Sequence, residues 1–95
     1  MKIIWSEEAE TDYHDNIDYL LSNWSPKVAV DFIEEVETLL EHLKNYPQSY
    51  PLTNYKGIRQ AVVRKQVTLY YQQQGNTIYL VRMWIVHKDP DKLKL

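Results

Sequence analysis

The chain has 95 residues, of which 44% are hydrophobic and 25% charged. That is room for one domain with one core, and it is too apolar for a disordered chain. The absence of cysteine excludes a disulfide framework and a zinc–thiolate site, and no apolar run approaches the length of a membrane span.

The net charge of −2 hides an asymmetry. Residues 1–45 carry eleven acids against three bases, a balance of −8, whereas residues 46–95 carry two acids against eight bases, a balance of +6. A basic half suits an anionic partner, and the acidic half restrains indiscriminate binding; alternatively the two halves attract one another. The short apolar start before Ser6 is unlike a signal peptide, and a reducing cytoplasm fits the lack of cysteine.

Ile3, Ile4 and Trp5 read as a first strand. Ser6 then reads as an N-cap, with Glu7, Glu8 and Glu10 in the turn where the helix dipole favours acids. Ala9, Tyr13, Ile17, Leu20 and Leu21 recur at helical spacing and predict a helix over residues 7–22. Ser25-Pro26 offers a second cap with proline at the first helical position. Ala29, Phe32, Ile33, Val36, Leu39, Leu40 and Leu43 form one stripe, so a second helix spans about 26–45 and folds back on the first. The acids, Asp12 and Glu35 among them, fall mostly off these stripes and read as a solvated face. His14 and Asp18 share helical spacing suited to a metal, but no third ligand accompanies them, so neither metal nor cofactor is implied.

Residues 46–57 form a loop in which Tyr46, Tyr50 and Tyr55 either pack over the sheet edge and helix ends or make an aromatic patch. Strands follow at 58–64, 67–73 and 77–86, with Gly75-Asn76 as a two-residue hairpin turn. Val67, Leu69, Tyr71, Ile78 and Leu80 then share the face that the helices cover. Strict alternation would point Arg82 into that core, so a bulge is expected near Val81-Arg82, turning Met83 and Ile85 inward. The opposite face would carry Thr68, Tyr70, Gln72, Tyr79, Arg82 and Trp84, with Arg64 and Lys65 near the hairpin. Such basic and aromatic residues suit phosphates and bases, and equally a protein partner. Arg59 is either part of that surface or paired with a helix carboxylate such as Asp12 or Glu35. The tail after the last strand reads as polar and extended.

The whole chain resembles the RelE/ParE superfamily of toxins from bacterial type II toxin–antitoxin modules. WSEEA after the first strand, NWSP between the helices, YPQSYP before the sheet, IRQAVVRKQVTLYYQ and the final VHKDP carry the resemblance. It implies a single α+β domain over residues 1–95, ordered β-α-α-β-β-β, with a helical hairpin on one face of an antiparallel sheet. It also implies a growth-arresting, plasmid-stabilising toxin that a cognate antitoxin neutralises in a hetero-oligomer. RelE-like members cut mRNA on the ribosome; ParE-like members poison DNA gyrase; a degenerate member would only bind its antitoxin. A metal-independent RNase needs a base for the 2′-hydroxyl, cations for the phosphorane and an acid for the leaving oxygen. By position, the resemblance assigns phosphate stabilisation to Arg64 or Lys65 and matches the terminal basic or His position to His87 and Lys88. Arg59, Tyr70, Arg82 and Trp84 remain for target or antitoxin binding. No tyrosine follows Tyr79, and the lysine-rich segment before the second strand is reduced to Lys56, two departures from the RNase pattern.

Overall fold

The computed structural model describes residues 1–86, 88, 90–93 and 95. The elements run β1 (Lys2–Trp5), α1 (Glu7–Asn23), α2 (Pro26–Asn45), β2 (Ile58–Arg64), β3 (Val67–Gln74), β4 (Thr77–Ile85) and a single 3-10 turn, Pro90–Lys92. That turn replaces the extended tail expected from sequence.

Both helices start where their serines put them. Ser6 Oγ accepts from the Ala9 N–H at 3.0 Å, and Ser25 Oγ accepts from the Val28 N–H at 3.2 Å, with Pro26 opening α2. In each case the side-chain oxygen satisfies a donor that the first turn leaves without an intrahelical partner.

The sheet order is β1-β4-β3-β2. β2, β3 and β4 pair antiparallel, while β1 lies parallel to β4 with Lys2 opposite Thr77 and Trp5 opposite Leu80. The sheet is therefore mixed. A parallel neighbour requires a long crossover, which α1, α2 and the two antiparallel strands provide. The β3–β4 hairpin turns at Gly75-Asn76, and Gly75 alone of the two takes a positive φ, +59°, as a type II′ turn requires.

The inner face of the sheet packs against both helices. Val67, Leu69, Tyr71, Ile78, Leu80, Met83 and Ile85 are buried there with Ala29, Phe32, Val36 and Leu43 of α2 and Ala9 and Leu20 of α1. Each large side chain taken fully from water contributes about 1.5–3 kcal/mol. The inward turn of Met83 and Ile85 depends on a bulge. Tyr70 faces Arg82 and Tyr71 faces Leu80, so Val81 is the extra residue. One inserted residue reverses the side on which every later side chain emerges.

Candidate functional site: the open sheet face and the β4 edge

β1 ends at Trp5, opposite Leu80, and leaves the rest of β4 without a strand neighbour on that side. An uncovered edge would present unpaired backbone groups. The start of α1 closes it. The Ser6 N–H donates to the Leu80 carbonyl at 3.0 Å, and the Ser6 hydroxyl donates to the carbonyl of the bulged Val81 at 2.9 Å. Further along α1, Asp12 Oδ2 accepts from the Met83 N–H at 3.0 Å and, one turn later, Asn16 Nδ2 donates to the Met83 carbonyl at 3.1 Å. The side chains at i and i+4 thus offer Met83 the acceptor and donor that a strand would have supplied.

Asp12 has a second duty. Arg82 emerges on the open face, opposite Tyr70, and its guanidinium reaches the carboxylate as a fork: Nε to Oδ2 at 2.7 Å and Nη2 to Oδ1 at 2.9 Å. This hydrogen bond raises the Arg82 pKa above its ordinary value, against the opposing effect of burial. Lys88 Nζ lies 4.0 Å from Asp12 Oδ1 and 3.8 Å from Asp15 Oδ2. The Trp84 ring sits beneath both cations, 5.0 Å from Arg82 Cζ and 5.5 Å from Lys88 Nζ. Arg82, Trp84 and Lys88 therefore form one cluster whose charge Asp12 and Asp15 balance. Asp12 and Asn16, at 2% and 0% exposed, are core residues and not members of a solvated acidic face.

Arg59 and Arg64 do not join it. Arg59 stands opposite Tyr71 on the helix-covered side, and its Nη1 donates to the carbonyls of Tyr50 at 2.6 Å and Gln48 at 3.4 Å. It pairs with neither Asp12 nor Glu35; it ties down the 46–57 loop. The Tyr71 hydroxyl helps by donating to the Pro47 carbonyl at 2.6 Å. Tyr50 packs edge-on to Tyr71 and contacts His42 Nδ1 through its hydroxyl at 3.1 Å, while Tyr46 and Tyr55 stay exposed.

A second bulge at the end of β2, between Val62 and Arg64, sets Arg64 opposite Val67, also on the helix side. There its Nε lies 3.0 Å from Glu35 Oε1. Lys65, exposed in the following turn, makes no ion pair among the described residues. His87 lies outside the described residues.

The open face is thus aromatic and amide-rich, and its charge is compensated. Across it run the pairs Thr68–Trp84, Tyr70–Arg82 and Gln72–Tyr79, with Gln60 beside Tyr70 and exposed Val62 beside Thr68. Of the two readings of the charge asymmetry, the pairing of Arg64, Arg82 and Lys88 with helix carboxylates fits the one in which the halves attract one another, while Lys65 makes no ion pair among the described residues. Composition counts charges but does not show which are neutralised.

The family model for the ParE toxin of the type II toxin–antitoxin system parDE matches residues 3–90. This chain belongs to that family. It is a type II toxin component with the RelE/ParE fold. Solved structures agree on the fold. The chromosomal ParDE system of P. aeruginosa includes a chain similar to this one at a TM-score of 0.70, 17% identity, and coverage of 90% of this chain and 96% of that one. The YoeB/ParE toxin from Agrobacterium tumefaciens is similar at 0.66 and 13% identity, covering 90% and 98%. A chain of the heterotetrameric YoeB-YefM toxin–antitoxin complex from Staphylococcus aureus is similar at 0.60 and 17% identity, covering 86% and 92%. No curated protein sequence matches the chain. Among the described residues no helix is long and apolar enough to cross a membrane.

Proposed function

We propose that this toxin arrests growth in the cytoplasm by docking the open face of its sheet on a protein target, DNA gyrase, and that a cognate antitoxin neutralises it. The carrying observation is the disposition of the cations. Cleavage of mRNA needs several cations free to gather on one phosphate, and docking on ribosomal RNA needs many phosphate contacts. Here Arg82 and Lys88 are balanced by Asp12 and Asp15, Arg59 serves loop carbonyls and Arg64 faces Glu35. What the face offers instead is Trp84, Tyr70, Tyr79 and Arg82, residue types that dominate protein–protein hot spots. Membership of the ParE family supports the same target class.

The test is expression of the chain without its antitoxin, with gyrase supercoiling and mRNA 5′ ends followed in parallel. Supercoiling should fail while mRNA ends stay unchanged. Tyr70→Ala and Trp84→Ala should relieve the arrest, whereas the Arg64→Ala/His87→Ala double variant should still arrest growth. Cleavage at ribosomes that vanishes in the double variant would assign the chemistry to Arg64, Lys65, His87 and Lys88 and overturn this reading.

A further inference from the structure

The end strand β1 keeps an open outer edge. In a parallel pair a residue turns its N–H and carbonyl to the same side, and successive residues alternate sides. The Lys2 N–H donates to the Asn76 carbonyl at 3.1 Å and the Ser6 N–H to the Leu80 carbonyl at 3.0 Å, so Lys2, Ile4 and Ser6 face β4. Ile3 and Trp5 therefore aim their main-chain groups away from the sheet. Among the described residues no hydrogen bond engages the N–H or carbonyl of either. The start of α1 closes the edge of β4 and leaves this one uncovered.

The side chains give the edge a direction. Ile3 and Trp5 pack against the core, Trp5 with its ring 5.1 Å from that of Tyr13, while Ile4 lies half-buried opposite Tyr79 of the open face. Exposed Lys2 stands at one end of the strand and exposed Glu7 just beyond the other, and neither makes an ion pair among the described residues. Shortness and a lysine protect such an edge from indiscriminate strands. An antiparallel apolar strand that carries the opposite charge at each end escapes that protection, and β1 itself is such a strand.

We propose that two copies of this chain associate edge to edge through β1, antiparallel about Ile4. Ile3 of each copy then faces Trp5 of the other, and each such pair exchanges N–H···O bonds in both directions. The two Ile4 side chains meet at the non-hydrogen-bonded position, where cross-strand contact is closest. Lys2 comes opposite Ser6 of the second copy, next to its Glu7, at both ends of the contact. A shift of one residue would set the free groups of Ile3 and Trp5 against groups already bound to β4, so the register is fixed. The two-fold axis of this pair runs perpendicular to the sheet, which puts both open faces on one side and gives the dimer two copies of the face assigned to the target. The association itself does not depend on what that face binds.

Sedimentation equilibrium of the purified chain should show monomers giving way to dimers at about 10–100 μM, as suits a small contact. Over the same range the amides of Ile3 and Trp5 should exchange more slowly, while those of Lys2 and Ile4, already bonded to β4, change little. Ile4→Lys places like charges at the centre of the contact and Lys2→Glu places them at both ends; each should weaken association by about tenfold or more. Combining Lys2→Glu with Glu7→Lys should restore the association that either variant lacks alone. Circular dichroism checks each fold, and Lys2→Glu with amide exchange decides the matter even where Ile4→Lys unfolds the chain. A chain that stays monomeric to about 1 mM, or Ile3 and Trp5 amides indifferent to concentration, would overturn the proposal. A dimer that folded Ile4→Lys and Lys2→Glu leave intact would assign the contact to another surface and overturn it as well.

Discussion

Asp12 and Arg82, 70 positions apart in sequence, meet through two hydrogen bonds of 2.7 and 2.9 Å, and the same carboxylate holds the Met83 N–H. One side chain therefore closes a sheet edge and fixes the main cation of the open face. Asp12→Ala should destabilise the fold by about 3–5 kcal/mol, since it leaves a partly buried guanidinium unpaired and a buried N–H without an acceptor. Asp12→Asn should cost less, because it can retain the acceptor for Met83. Urea unfolding midpoints of the two variants measure the difference. Equal midpoints would show that the charge contributes little.

The bulge at Val81 sorts inner from outer side chains at the end of β4. Deleting Val81 would restore plain alternation, sending Arg82 inward and Met83 outward. The deletion variant should yield no soluble folded protein, whereas Val81→Ala, which keeps the extra residue, should fold with a small loss. Ser6→Ala should cost about 1–2 kcal/mol, because the helix cap and the hydroxyl donor to the Val81 carbonyl disappear together. Thermal unfolding followed by circular dichroism reads all three.

Burial pushes the Tyr71 pKa up to about 12, in spite of nearby Arg59, which pulls it down. A phenol whose pKa is raised on folding favours the folded state while it is protonated. Its contribution is complete below the unfolded value of about 10 and is lost as pH rises through about 12. Stability should therefore fall between about pH 10 and 12, and this fall should shrink in Tyr71→Phe. Phenolate absorbance in parallel with unfolding checks the assignment.

Arg59→Ala should release the 46–57 loop without opening the core, because its two acceptors are the loop carbonyls of Gln48 and Tyr50. The expected cost is about 1–3 kcal/mol, with faster proteolysis and amide exchange confined to that loop. Exchange rates unchanged in residues 46–57 would remove the clamp role.

The sequence alone determined the elements and their order. Serine caps, helical stripes, a Gly-Asn turn and period-two strands are local signals, and the need to keep Arg82 out of the core even located the bulge. The family resemblance was legible for the same reason: it is carried by contiguous motifs. The charge pattern was read with less success. Eight bases in the second half suggested an open cationic face, but charge in a sequence is only a count. Tertiary structure decided that Asp12 turns inward to Arg82, that Arg59 and Arg64 emerge on the helix side and that α1 supplies side chains to the vacant edge of β4. These outcomes depend on where β1 stops, on two bulges that each move side chains by one residue and on contacts between segments far apart in the chain. No local periodicity encodes such pairings, because each is fixed only when both elements are in place.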